Sequence, residues 1–232
     1  MTSPLVSVAL FHIGPAPITE PVLVTWAIMA ALVLTGLVVS SGLTLVPSAT
    51  QAAFELGVDA LDSLIRDTMR AEPAPYRAFI GTLFVFIFVA NWSSLVPGIE
   101  PPTAHLETDA ALALIVFVAA TWFGIRAVGV AGYLATFASP SWIMIPLNFV
   151  ESLTRTFSLL VRLFGNVMSG VFIVGVVLSL AGLFVPIPLM ALELLTGAVQ
   201  AYIFSVLAMV FIAGAIGEAR PASDATEEGT PP

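Results

Sequence analysis

The amino-acid sequence predicts an all-α polytopic membrane protein with about five transmembrane helices, a long, steeply tilted C-terminal helical hairpin and a cytoplasmic amphipathic helix. Of the 232 residues, 59% are hydrophobic and only 9% are charged. A soluble domain normally carries about a quarter charged residues, so this chain could not cover a water-facing surface. Five long apolar stretches supply the expected spans, and we interpret residues 1–232 as a single membrane domain.

The predicted spans differ in length. They cover residues 21–46, 79–96, 110–126, 143–183 and 189–217. A helix perpendicular to the bilayer needs about 20 residues, so the fourth stretch, at roughly 40, must tilt strongly, kink or lie partly along the membrane. The last stretch is also over-long, and Pro186 and Pro188 place a turn between the two. This predicts a steeply inclined hairpin.

Residues 48–72, between the first two spans, show the pattern of an amphipathic helix. The apolar residues that recur at steps of four, three, four and four are Phe54, Val58, Leu61, Ile65 and Met69. The residues that follow four of them, on an adjoining and wetter face, are Glu55, Asp59, Asp62 and Arg66. We expect a helix on the cytoplasmic membrane surface, which acts either as a surface anchor or as a docking face for a partner.

The distribution of arginine predicts the orientation. The arginines outside the fourth stretch are Arg66, Arg70, Arg77, Arg126 and Arg220. They fall after the first span, at the end of the third and in the C-terminal tail. The N-terminal residues, the loop before the third span and the turn between the last two spans have no arginine. The positive-inside rule therefore predicts an N-terminus outside and a C-terminus in the cytoplasm. The polar, proline-rich residues 218–232 predict a disordered cytoplasmic tail.

Composition excludes several kinds of function. The chain has no cysteine, which excludes a disulfide framework, thiol catalysis and cysteine-based metal sites. Seven arginines and fifteen acidic residues give a formal charge of −8, whereas nucleic-acid binding needs a basic surface. We expect no nucleic-acid partner, no cofactor and no metal.

Polar residues form a stripe along the fourth stretch. Separated by four, three, four, four and three positions, they are Glu151, Arg155, Ser158, Arg162, Asn166 and Ser169. This spacing stacks them on one helical face. The last stretch carries a sparser set at steps of three and four, namely Glu193, Thr196 and Gln200. A hairpin would let the two stripes face the same way.

Arg162 is the costly member of this stripe. An arginine at mid-bilayer is penalised by about 2.5–3.5 kcal/mol on insertion scales, and it cannot escape by losing its proton. Arg155 has Glu151 one turn away as a structural partner, but Arg162 has no such neighbour, and we expect its carboxylate to come from another chain. The small residues beside the stripe allow close packing of a helix, either from another chain or from this one: Gly165, Ser169 and Gly170.

Three segments carry a resemblance to a known family. They read "RLFGNVMSG" with a serine four residues before its arginine, "AVQAYIFSVLAMVFI", and "NWSSLVPGIEPPTAHLETDAALAL". Together they resemble subunit a of the F-type ATP synthase, over roughly residues 75–218. The resemblance implies a non-catalytic stator subunit in the bacterial inner membrane, beside a rotating c-ring. Its further implied partners are the peripheral-stalk b subunits, the soluble catalytic head and the lipid bilayer.

The resemblance also implies roles for particular residues. Arg162 would face the ion-carrying carboxylates of the ring, and Asn166 and Gln200 match the asparagine and glutamine that accompany it. Ser158 matches a serine on the cytoplasmic side, where Glu151 and Arg155 complete a possible inner half-channel, although Glu151 matches no motif position. Many relatives have an ionisable residue where this chain has Val171, so we expect Glu193 to be the main relay of the outer half-channel.

Some alternatives stay open at the level of sequence. Three residues of the loop before the third span are either the outer mouth of the channel or ordinary solvated residues: His105, Glu107 and Asp109. The coupling ion is a proton or, in the same role, sodium. A secondary transporter would usually show internal repeats, which we do not find, and a purely structural anchor would not explain Arg162.

Overall fold

Long apolar runs fold into long helices in this chain, because backbone groups in hydrocarbon must be hydrogen-bonded within their own segment. The computed structural model describes residues 9–13, 16–42, 48–95, 99–137, 143–181 and 185–217. The helices are α1 (Glu20–Ser41), α2 (Ala49–Met69), α3 (Ala74–Trp92), α4 (Leu106–Phe137), α5 (Met144–Ala181) and α6 (Ile187–Gly217). Short 3₁₀ turns cover Ser93–Leu95 and Pro102–Ala104. The predicted tail, residues 218–232, lies outside the described residues.

Five of the six helices are long and apolar enough to cross a membrane, and α2 is the exception. The predicted all-α polytopic fold class is therefore confirmed. One small feature was not predicted: β1 (Ala9–Ile13) and β2 (Ala16–Thr19) form a short antiparallel hairpin that leads into α1.

Only half of the predicted apolar face of α2 is buried. Ile65 and Met69 are buried, whereas Phe54 and Val58 are exposed. The exposed half borders a groove of about 480 Å³ between α1, α2 and α3. Only the second half of α2 is therefore held tightly against the bundle.

Asp62, predicted on the wetter face of α2, is buried because it meets Arg77 at the start of α3. Arg77 Nε donates to Asp62 Oδ1 at 2.6 Å, and Arg77 Nη2 donates to Oδ2. This two-pronged hydrogen bond holds the pKa of the Asp62 carboxyl below its ordinary value, because the guanidinium favours the charged form. The pair fixes the surface helix to the first turn of α3.

Helix α4 is interrupted by a kink at Gly129. This residue has φ +80° and ψ 167°, a conformation that side chains with a Cβ rarely adopt. Beyond the kink, Tyr133 folds back onto Gly124, where a Cβ would lie 2.6 Å from the Tyr133 ring. The helix extends past the predicted span of 110–126 at both ends, because it begins at Leu106 and continues beyond the kink.

Helix α6 forms the centre of the bundle. Its buried residues are Gly197, Gln200, Ala201, Phe204, Ser205, Ala208, Met209 and Ile212. They recur at steps of three and one, which defines one stripe along the helix. Helices α3, α4 and α5 all pack against α6. Helix α1 packs loosely, with Ile28 as its one buried residue among those described.

Helices α5 and α6 form the C-terminal hairpin. They contain 38 and 31 residues, so at a rise of about 1.5 Å per residue they are about 57 and 46 Å long. The hydrocarbon core of a bilayer is only about 30 Å thick. Both helices are therefore too long to stand upright in it, as the predicted tilt of the hairpin requires.

Candidate functional site

The polar stripe of α5 lies along the edge of its packing face. Leu159, Leu163 and Val167 are buried against the core. Each of them directly follows a polar residue of the stripe, so Arg162 is placed beside the core but is itself exposed. Helical periodicity is the reason, because neighbouring positions differ by about 100° around the axis.

Arg162 differs from Arg155 and Arg77, which form ion pairs within the chain. Arg155 pairs with Glu151 one turn earlier on α5, and Arg77 pairs with Asp62. Over the described ranges, no carboxylate forms an ion pair with Arg162. Arg162 is thus an exposed guanidinium in an apolar helix, without an ion-pair partner among the described residues.

A cavity of about 590 Å³ opens beside this arginine, between α5 and α6. Its polar lining residues are Glu151, Thr154, Arg155, Ser158 and Arg162. Leu207 and Phe211 of α6 form the opposite wall. The cavity thus brings together the three residues predicted for the inner half-channel and connects them to Arg162. Thr154 was not predicted from the sequence, because it lies one residue off the stripe.

Glu193 packs against Gly170 where α6 crosses α5. A Cβ on Gly170 would lie 2.7 Å from Glu193 Oε1, 3.0 Å from Cδ and 3.1 Å from Cγ. Gly170 therefore serves packing within this chain. Gly165 and Ser169, by contrast, are exposed, and a Cβ on Gly165 would meet no atom within 4 Å.

The Glu193–Gly170 contact sets the heights of the polar residues on the hairpin. Helices α5 and α6 run antiparallel, and each residue rises about 1.5 Å. Counting back from Gly170 reaches Arg162 after about 12 Å, and counting on from Glu193 reaches Gln200 after about 10 Å in the same direction. Arg162 and Gln200 thus lie at nearly the same height. Glu193 lies to one side of that level, and Arg155 lies about 10 Å to the other.

A hydrogen-bonded junction holds the Glu193 end together. Asn91 Nδ2 donates to the Gly197 carbonyl at 2.9 Å, and Asn91 Oδ1 accepts from Thr103 Oγ1 at 2.7 Å. We call Asn91, Thr103 and Gly197 the Asn91 junction. It joins α3, the Pro102–Ala104 turn and α6, and Trp92 Nε1 adds a bond to the Leu194 carbonyl at 3.2 Å. Sequence reasoning assigned no role to Asn91, although an amide inside the apolar stretch 79–96 was a usable signal.

Buried polar atoms without a hydrogen-bond partner lie on both sides of this junction. Within the part of the chain that the structure describes, they are His105 Nε2, Asp109 Oδ1 and Oδ2, Glu193 Oε1 and Gln200 Nε2. His105 Nε2 lies 3.5 Å from Glu100 Oε2, an ion-pair distance but not a hydrogen bond. Such atoms are uncommon in folded proteins, so their occurrence on the two segments that the Asn91 junction joins indicates a functional region.

The three residues predicted as an outer mouth have different environments. Glu107 is exposed, and the His105 side chain is 12% exposed. Asp109 is fully buried, with a relative exposure of 0%. They therefore do not form one solvated group, because only Glu107 is exposed.

Comparison with known proteins finds relatives over nearly the whole chain. The family model described as ATP synthase A chain matches residues 22–213. ATP synthase subunit a 2 of Bradyrhizobium sp. (strain BTAi1) is 56% identical over 216 residues, which cover 93% of this chain and 97% of that protein. ATP synthase subunit a of Albidiferax ferrireducens is 42% identical over 93% of this chain and 94% of its own length. ATP synthase subunit a 2 of Pelobacter propionicus is also 42% identical, over 96% and 97%.

Proposed function

Since the chain belongs to the ATP synthase A chain family, we propose that it is the ion-translocating stator subunit of a rotary ATP synthase. Two aqueous half-channels pass protons to and from carboxylates of the rotating c-ring. This couples the flow of protons across the membrane to ATP synthesis or hydrolysis in the soluble head. The subunit is not catalytic by itself.

Arg162 carries the proposal. It is exposed and has no ion-pair partner within the described ranges. It also lies next to the buried apolar residues of a membrane helix. A guanidinium there favours the ionised form of a carboxylate that comes within about 4–6 Å. Each ring carboxylate that reaches Arg162 therefore releases its proton. Arg162 cannot donate its own proton, so it also blocks direct passage between the half-channels.

The heights on the hairpin support a division into two half-channels. Glu193 and Gln200 form the outer route, in which the Glu193 carboxyl holds and passes the proton. Glu151, Arg155 and Ser158 form the inner route, within the cavity of about 590 Å³ that reaches Arg162. Asn166, one turn from Arg162, orients the guanidinium or nearby water.

The orientation and partners complete the proposal. The positive-inside rule places the N-terminus outside and the C-terminus in the cytoplasm, so the Arg155 end of the hairpin faces the cytoplasm. The subunit lies in the bacterial inner membrane, against the c-ring on its Arg162 side. The peripheral-stalk b subunits hold it to the soluble head.

Replacing Arg162 by alanine tests the assigned role. In inverted vesicles that contain the whole complex, we expect Arg162→Ala to abolish ATP-driven proton pumping, because ring carboxylates no longer meet a fixed cation. The complex should still assemble. Arg126→Ala is the matched control, because Arg126 is also an exposed arginine of an apolar helix, and it should pump normally. Normal pumping by Arg162→Ala would refute the role.

Two further measurements separate the alternatives. Purification in mild detergent should recover a ring of small two-helix subunits with this chain, whereas a secondary transporter would be recovered without one. ATP-driven pumping into vesicles in sodium-free buffer should persist if the ion is a proton. Its loss there, with recovery on adding sodium, would favour sodium coupling.

A further inference from the structure

Asp109 is a buried acid that the proposed relay does not use. It lies in the first turn of α4 and has a relative exposure of 0%. Neither of its carboxyl oxygens has a hydrogen-bond partner among the described residues. The buried residues of the next two turns of the helix are apolar: Leu112, Ala113 and Val116. Asp109 therefore gains no polar contact from the fold that would explain its burial.

The free energy of folding argues against a purely structural role. Burying a polar group without hydrogen bonds is unfavourable, and burying a carboxylate without a cation is more so. Asp62 shows how this chain buries an acid for structural purposes, because Arg77 occupies both of its oxygens. Asp109 lacks an equivalent partner in the described ranges, and its remaining natural partner is water.

Chain geometry places Asp109 in the same region as the proposed outer relay. It lies six residues after Thr103, and Glu193 lies four residues before Gly197. The Asn91 junction joins those two segments through direct hydrogen bonds. The other partnerless buried atoms, on His105, Glu193 and Gln200, belong to the same two segments. A file of water between them would satisfy all of these atoms.

We propose that Asp109 is a second relay carboxyl of the outer half-channel, which passes protons from the His105 entrance toward Glu193. A hydronium ion gives its proton to the Asp109 carboxylate, so one O–H bond of hydronium breaks and a carboxyl O–H bond forms. The proton then leaves to water on the Glu193 side, and Asp109 returns to its carboxylate form. This inference rests on the proposed stator function and adds a residue to its outer route.

Asp109→Asn tests the relay, because asparagine has nearly the same shape but cannot accept a proton. In vesicles stripped of the soluble head, we expect passive proton conductance to fall about 100-fold, the lower end of the range for a lost acid–base group. Asp109→Glu should recover part of it. Asp67→Asn is the control for loss of one carboxyl, because Asp67 is exposed on α2, and it should conduct normally. Normal conductance by Asp109→Asn would overturn the proposal.

Thiol labelling provides a second and independent test, which also decides the matter if Asp109→Asn does not assemble. The chain has no cysteine, so an introduced thiol is the one labelled site in this subunit. Asp109→Cys should react with Ag⁺ added from the outside, and the bound silver should block later labelling of the thiol by a maleimide. Ala113→Cys, one turn on and 1% exposed in the apolar core, should stay unreactive. If the Asp109→Cys thiol is as unreactive toward Ag⁺ as the Ala113→Cys thiol, the proposal is overturned.

The stator function and the relay role of Asp109 can be refuted separately. If Arg162→Ala pumps normally, the stator function fails, and the relay assignment of Asp109 fails with it. If Arg162→Ala is inactive while Asp109→Asn conducts normally and Asp109→Cys is unreactive, only the role of Asp109 is refuted.

Discussion

Gly170→Ala would displace the proposed outer relay without removing it. The new Cβ would lie 2.7 Å from Glu193 Oε1, whereas ordinary van der Waals contact begins at 3.4 Å. The carboxyl oxygen must therefore retreat by about 0.7 Å, and the neighbouring Cδ by about 0.4 Å. Because the carboxyl is the end of a flexible side chain, the helices themselves should stay in place, and the complex should assemble.

The expected loss of conduction follows from this displacement. A misplacement of about 1 Å can cost a transfer step about 100-fold, so we expect passive proton conductance to fall about tenfold in head-stripped vesicles. Gly175→Ala is the matched control, because it lies on the same helix and a Cβ there would meet nothing within 4 Å. Both changes alter helix propensity equally, so the difference between them reports the contact.

A compensating change makes this test sharper. Glu193→Asp shortens the side chain by one methylene group, which withdraws the carboxyl from Gly170. Glu193→Asp should therefore reduce conductance less in the Gly170→Ala variant than in the parent protein. A double-mutant cycle measures this coupling. If Gly170→Ala conducts as well as Gly175→Ala, or if the two changes are simply additive, the Glu193–Gly170 contact does not position the relay.

Two predictions concern stability, measured as the melting temperature of the detergent-solubilised complex. Asn91→Ala removes bonds to Thr103 and Gly197 and leaves a buried hydroxyl without a partner, so we expect a loss of about 2–4 kcal/mol. The lowered pKa of Asp62 means that its pairing with Arg77 stabilises the fold above the ordinary value of 3.8 and is lost as the pH falls below it. Asp62→Asn should therefore melt lower at neutral pH and lose less stability than the parent on acidification below about pH 4; identical acid profiles would contradict this.

Local patterns were enough to predict the helices and the stripe of α5. Hydrophobic length defines a span, and helical periodicity places Arg155, Ser158 and Arg162 on one face, whatever the rest of the chain does. The cost of an arginine in hydrocarbon then marks Arg162 as exceptional. Hydrophobic length and helical periodicity depend only on residues that are close together in the sequence.

Features that depend on distant contacts could not be predicted in this way. Asn91 and Gly197 are 106 residues apart in sequence, and nothing local to either one indicates the bond. The burial of Asp62 was misjudged for the same reason, since its helical face is wet unless Arg77 arrives from α3. The kink at Gly129 was missed because a glycine in an apolar run also fits a straight helix.

The distribution of titratable groups on the hairpin fits the moving partner that we propose. From Glu193 to Arg155 the hairpin spans about 22 Å in height. Between these levels the titratable side chains of α5 and α6 are Arg162, which keeps its proton, and the exposed phenol of Tyr202. Asn166 and Gln200 can orient water but cannot hold a proton. Under the proposed function, a proton that enters beside Glu193 meets no carboxyl or imidazole group within the hairpin before the Arg155 end, and the proposal assigns its carriage past Arg162 to carboxylates of the ring.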